Sequence, residues 1–226
     1  LKLINHIRYF WYVATNWGLH IGLFTLWHEI RGERKYAINT TSFSRLSKYS
    51  LAGNSLKHAT EYMPVNYLIL EQLLQHLPAE AKKGGFLDIG CGAGRVACVA
   101  AHYGFTNITG IDFAKELVEK AKQNASFTSL QFTGATIHIC WQNILDYEIP
   151  ADTGTIFLFN PFDETLMKTL VEKILFSRQK NNRNIFVLYA SPKHPEPFLE
   201  AGFQQVFHIK KVNFIEGIVL QKPASN

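Results

Sequence analysis

Residues 85–95, Gly-Phe-Leu-Asp-Ile-Gly-Cys-Gly-Ala-Gly-Arg, constrain this chain more than any other stretch. An apolar run of strand type ends there in three alternating glycines, Gly90, Gly92 and Gly94, and an Ala-rich segment over 95–103 follows and stops at Gly104. Glycine permits positive φ and lets a ligand approach the backbone where a Cβ would intrude. The stretch therefore predicts a strand, a ligand-cradling turn and a helix in succession. A dinucleotide-binding turn needs a glycine at its sixth place, which Arg95 occupies here. That large cation is at odds with the tight strand–helix packing such a turn requires.

A second strand, 107–112, ends in the carboxylate of Asp112, and a helix is expected over 114–124. A carboxylate at that place can accept the hydroxyls of a ribose on its two oxygens. Capping the following helix is the competing role. Further strands are expected over 137–142, 155–159 and 184–190, with an amphipathic helix over 164–177 and a closing hairpin of strands 203–210 and 214–221. The pattern Asp88-x-Gly90-x-Gly92-x-Gly94, together with this order of elements, resembles motif I and the frame of the class I S-adenosylmethionine-dependent methyltransferases. The fold so implied is α/β: a Rossmann-like, doubly wound sheet of seven strands, mostly parallel with a C-terminal antiparallel hairpin, plus an N-terminal helical extension.

The resemblance also implies the site. S-adenosylmethionine would lie on Asp88, Gly90, Cys91, Gly92 and Gly94, with Asp112 on the ribose and Phe113 against the adenine. Asn143 and Ile144 stand where the family usually has Asp-Ala or Asp-Ile at the adenine edge. The Asn carbonyl can still accept from the exocyclic amine. Asn160-Pro161-Phe162 matches in part the Asn/Asp-Pro-Pro-aromatic tetrad of amino-methylating members and supplies the candidate catalytic residues, with Asn160 also counted on the cofactor. The second proline is missing, which leaves the methylated atom open. Tyr62, from the segment before the domain, is the candidate aromatic cover for the cofactor. Asp163 and His58 are the available general bases by residue type. Trp141 is expected to pack in the core, with stacking on the cofactor as the alternative, and His138 is expected to be packed within its strand.

Charge divides the chain. Residues 1–60 carry eight Lys/Arg against two acids, whereas residues 61–226 carry fifteen against sixteen. We read 1–60 as a basic, aromatic helical extension with its loop, and 61–226 as the cofactor-binding domain. Residues 9–27 contain Trp11, Trp17 and Trp27 and no Lys, Arg, Asp or Glu. Apolar residues from Ile4 to Trp27 recur at spacings of three and four, as on one helix ending before Gly32. Such a helix can pack on the domain, on a partner or on a membrane surface. Asn16, His20, Gly18 and Gly22 weigh against a membrane span. Cys91, Cys98 and Cys140 are expected in the core, without zinc or disulfide spacing, so a reducing, cytoplasmic setting with optional membrane association and no metal is expected. The methyl acceptor is unidentified: a small planar or amine-bearing molecule is favoured, and RNA or protein docking on the basic extension, or a non-catalytic cofactor-binding subunit, are the alternatives.

Overall fold

The computed structural model describes residues 2–41, 44–45, 61–159, 163–212 and 215–225. Its centre is a seven-stranded sheet of β3 (Gly85–Ile89), β4 (Asn107–Asp112), β5 (Thr136–Trp141), β6 (Thr153–Phe159), β7 (Ile185–Ala190), β8 (Gln204–Lys211) and β9 (Ile215–Lys222). The spatial order is β5-β4-β3-β6-β7-β9-β8, with β9 antiparallel to both its neighbours and the other pairings parallel. A separate two-residue pairing joins β1 (Ser44–Arg45) to β2 (Glu61–Tyr62). The chain adds β4 and β5 on one side of β3 and then crosses back to add β6 on the other. The carboxyl ends of β3 and β6 therefore flank a topological switch point, where an open α/β sheet leaves a crevice for ligands.

Helices cover both faces, as a parallel sheet requires. Period-two alternation divides the strand residues: Phe86, Ile108, Phe157, Phe186 and Leu188 meet α3 (Tyr67–Gln75) and α4 (Arg95–His102). On the other face, Leu87, Ile89, Ile156, Leu158 and Val187 meet α6 (Glu164–Lys180) and α7 (Glu196–Glu200). The fifth helix, α5 (Lys115–Gln131), runs beyond the expected end at Asn124, because Asn124 is a buried tie and not a terminator. Its side chain donates to Ala93 O and Asn39 O and accepts from Asn39 N.

Strand β5 is the sheet edge, which corrects three expectations. His138 is exposed, Cys140 is only partly buried, and Trp141 retains 45% of its surface. An edge strand lacks a neighbour to cover its outer half, so residue type alone does not bury these side chains.

The expected single N-terminal helix is two. Helices α1 (Lys2–Trp17) and α2 (Leu19–Tyr36) are divided at Gly18, whose φ of 104° no ordinary side chain adopts readily. Helix α2 turns back on α1, so closely that a Cβ on Gly22 would lie 2.9 Å from that of Ala14. It then continues through Gly32, where a Cβ would fall 2.2 Å from the Tyr67 ring, and stops at Ala37 in the left-handed region. Among the described residues, no helix is long and apolar enough to cross a membrane.

A buried ion pair fastens this hairpin to the sheet domain. Arg95, 2% exposed, donates to both carboxylate oxygens of Glu29, 0% exposed, at 2.9 and 2.6 Å. Its guanidinium also donates to Thr40 Oγ1, Thr41 Oγ1 and Val65 O, and its Cζ lies 4.0 Å from the Tyr67 ring centroid. Every donor thus has a partner of matching geometry, the condition under which a buried pair is tolerated. Arg95 is also the first residue of α4, where a cation opposes the helix dipole, and Glu29 offsets that field. Glu33 supports the same corner by accepting from Thr40 N and Thr41 N, both at 2.7 Å.

Glu29→Leu leaves the Arg95 charge buried without its counter-ion and should lower unfolding free energy by about 3–5 kcal/mol. The double variant Glu29→Leu/Arg95→Met should regain most of that loss in denaturant titrations. Additive small losses would mean that the pair does not hold the hairpin.

Candidate active site

The turn after β3 is a cradle built by glycine. Gly90, Gly92 and Gly94 have φ of 74°, 53° and 81°. Ile111 O accepts from both Gly90 N and Cys91 N at 2.9 Å, which braces the turn on β4. A Cβ on Gly94 would lie 3.0 Å from the Ala121 Cβ, so this glycine also sets how closely α5 approaches. Cys91 packs beside Gly110, where a Cβ would come within 3.0 Å of its own. Burial raises its thiol well above the ordinary range, so Cys91 contributes a backbone position and not a nucleophile.

Two carboxylates lie under and beside the turn. Asp88, 1% exposed, is pushed up to about 8, chiefly by burial and also by the nearby Asp112, against a lowering hydrogen bond from the Ala97 amide. Its Oδ2 has no hydrogen-bond partner. Asp112 Oδ2 accepts from Gly92 N and Oδ1 from Ala114 N, both at 2.8 Å. Burial pushes Asp112 up to about 6, while these amides and that of Phe113 favour its ionised form. Asp112 thus shapes the glycine turn in addition to offering its remaining lone pairs.

The three expected strand tips converge. Gln142 N donates to Asp112 O at 2.9 Å, and the Trp141 indole donates to Phe113 O at 2.9 Å, so the β5 tip is tied to the β4 tip as β4 is tied to the turn. Asn143 Oδ1 accepts from Leu145 N, closing a tight turn beside the buried Ile144. Trp141 is not in the core but at this rim, with Lys115 Nζ 5.3 Å from its ring centroid.

Other expected residues are placed less fully. Asn160, Pro161 and Phe162 lie outside the described residues, as does His58; Tyr62 belongs to β2, with its side chain outside them. Asp163 is the N-cap of α6, its carboxylate accepting from Leu166 N at 3.0 Å, which is a structural duty.

On the other side of the switch point is a mostly apolar cleft. Phe159, Ala190 and Ser191 form its floor at the ends of β6 and β7, Ile215 and Glu216 one wall, and Met63 to Asn66 another. Tyr9, Val13 and Thr25 of the helical hairpin cover it. Asn66 caps α3 through Oδ1, at 2.9 Å from Leu68 N, while its buried Nδ2 has no partner. Ser191 holds a φ of 47°, uncommon for a residue with a side chain, and its amide donates to Glu216 O. Sequence reasoning missed this lining. The hairpin residues in it carry no motif, and Asn66 has no local pattern beyond that of a helix cap.

The turn suits the sulfonium cofactor on two counts. Its positive-φ glycines expose backbone, and the unpartnered Asp88 oxygen is an acceptor awaiting a donor or cation. Residues 80–192, half of the chain, match the family described as "Methyltransferase domain". The ribosomal protein L11 methyltransferase of Shouchella clausii (strain KSM-K16) is 25% identical over 156 residues, 67% of this chain and 47% of that protein. The chain thus spans about half the length of that curated relative. Two crystal structures share the fold at 16% identity and a TM-score of 0.53. One is an RNA methyltransferase from Salinibacter ruber in complex with S-adenosyl-L-homocysteine, with 72% of this chain and 94% of that one covered. The other is magnesium protoporphyrin IX methyltransferase from Synechocystis PCC 6803 with bound S-adenosylmethionine, with 70% and 79% covered. The chain belongs to the methyltransferase-domain family, as a class I S-adenosylmethionine-dependent member with the Rossmann-like fold.

Hydrogen bonds from a ligand to Asp112 favour its ionised form, so binding and protonation oppose each other. Affinity for S-adenosylhomocysteine, measured by calorimetry, should fall as pH drops through about 6, and Asp112→Asn should flatten that dependence. A pH-independent wild-type affinity between 5 and 8 would remove Asp112 from the ligand site.

Proposed function

We propose that this protein transfers the methyl group of S-adenosylmethionine to a small, largely apolar acceptor held in the cleft between the hairpin and the ends of β6 and β7. The carrying observation is the position of that cleft. It lies across the switch point from the glycine turn, beside the ends of β6 and α6 that flank residues 160–162. Its lining is mostly apolar, with Asn66 and Ser191 among its few polar side chains. In this reading residues 61–226 hold the cofactor and the α1–α2 hairpin of the N-terminal extension closes over the acceptor.

The bound cofactor supplies an electrophilic methyl on a sulfonium. The chain's own contribution is orientation and exclusion of water. The glycine turn and Asp88 hold the amino-acid end, Asp112 the ribose, and Phe113, Asn143 and Ile144 the adenine. The Asn66 amide, whose Nδ2 is buried without a partner, would donate to an oxygen or nitrogen of the acceptor. Asn160 and the Pro161 carbonyl would accept from the acceptor's nucleophile and align its lone pair.

Two substitutions test this division. Met63→Trp should narrow the cleft and lower kcat/KM for a small acceptor by about tenfold or more, with S-adenosylhomocysteine affinity unchanged. Asn160→Ala should reduce turnover much more than cofactor affinity. Both are read by transfer of labelled methyl in an acceptor screen. Full activity of Met63→Trp on a protein or RNA acceptor would favour a macromolecule bound outside the cleft.

A further inference from the structure

The hairpin has an outer surface that the methyltransferase reading does not use. On α1, Leu3, Ile4, Ile7 and Trp11 are all exposed and share one stripe by their spacing of three and four, opposite the buried His6, Tyr9 and Val13. On α2, Leu19, Leu23 and Trp27 repeat every four residues along a second exposed stripe, opposite the buried Ile21, Thr25 and His28. Seven large apolar side chains on two adjoining helices form far more than scattered surface hydrophobicity.

The charge around these stripes has one sign. Arg8, Arg31, Arg34 and Lys35 are exposed. The only acids on the hairpin, Glu29 and Glu33, are buried, Glu29 on Arg95 and Glu33 on the Thr40 and Thr41 amides. Glu71, which pairs with Arg31 and Lys35, is buried as well, while those two cations keep 46% and 44% of their side-chain surface exposed. An apolar face with tryptophans and a basic flank is the composition that lies in a bilayer interface. Arg31 stacking over Trp27, at 5.7 Å, puts a cation beside the ring that would enter the headgroup region.

We infer that the α1–α2 hairpin is a docking surface for anionic lipid membranes, on which the protein lies peripherally. A second copy of the chain is a poorer occupant, because a two-fold contact would set the same cations against each other. An RNA backbone would match the cations and leave the leucine and isoleucine stripes in water. Neither helix is long and apolar enough to span, so the mode is lying on the surface. This inference does not depend on the acceptor or on catalysis.

Co-sedimentation of the full chain with vesicles tests it. At about 0.1 M salt, phosphatidylglycerol-containing vesicles should capture the protein and pure phosphatidylcholine vesicles far less, with capture falling as salt rises. Trp11→Glu/Trp27→Glu should lower partitioning by at least about tenfold. Arg8→Gln/Arg34→Gln should reduce the preference for anionic lipid. Far-UV circular dichroism and an unchanged melting temperature would certify each variant, and Leu19→Glu/Leu23→Glu replaces the first if its fold is lost. Absence of capture by anionic vesicles, capture unchanged by the variants, or light scattering showing a wild-type dimer that the same variants dissociate without any vesicle binding would each overturn the inference.

Discussion

The Arg95–Glu29 pair is the constraint around which the molecule is arranged. Arg95 opens α4 directly after the glycine turn, so the geometry of that turn and the anchoring of the hairpin share one side chain. Replacing such a pair with apolar residues can be neutral for stability, whereas its partners and angles are demanding. Its value here is in fixing one arrangement: Glu29, Thr40, Thr41, Val65 and Tyr67 must all reach the guanidinium at once. Gly32 is part of the same requirement, because a Cβ there would displace the Tyr67 ring that lies beneath the cation.

From that anchor the division of labour follows. Three strand tips are cross-tied by Gly92–Asp112 and Asp112–Gln142 hydrogen bonds on one side of the switch point. On the other side the hairpin covers a cleft whose floor is the ends of β6 and β7. The two buried carboxylates play different parts. Asp112 accepts one amide on each oxygen, which holds the loop in shape and leaves a lone pair on each, whereas Asp88 keeps an unsatisfied oxygen and is biased toward its neutral form.

Much of this was legible in the chain because parallel central strands are buried on both faces and appear as apolar runs. Strands β4, β6 and β7 fall within two residues of expectation, and the Asp88-x-Gly-x-Gly-x-Gly alternation located the turn. The failures share a physical cause. Which strand lies at the edge is a property of the sheet, so Trp141 and His138, apolar or strand-compatible by type, were expected inside and are exposed. The break at Gly18 was masked because Trp17 and Ile21 keep the helical spacing across it. Arg95 was noticed for what it excluded, a dinucleotide turn. Its partner lies 66 residues away in sequence, and no local pattern pairs them.

Hydrogen exchange read by mass spectrometry, with and without S-adenosylhomocysteine, addresses the coupling most directly. If the Arg95 anchor joins cradle and hairpin, ligand should slow exchange over 88–95 and 112–114 and also over 29–41, and Glu29→Gln should erase the second effect while sparing the first. Protection confined to the cradle in the wild-type protein, with 29–41 unmoved, would contradict the account.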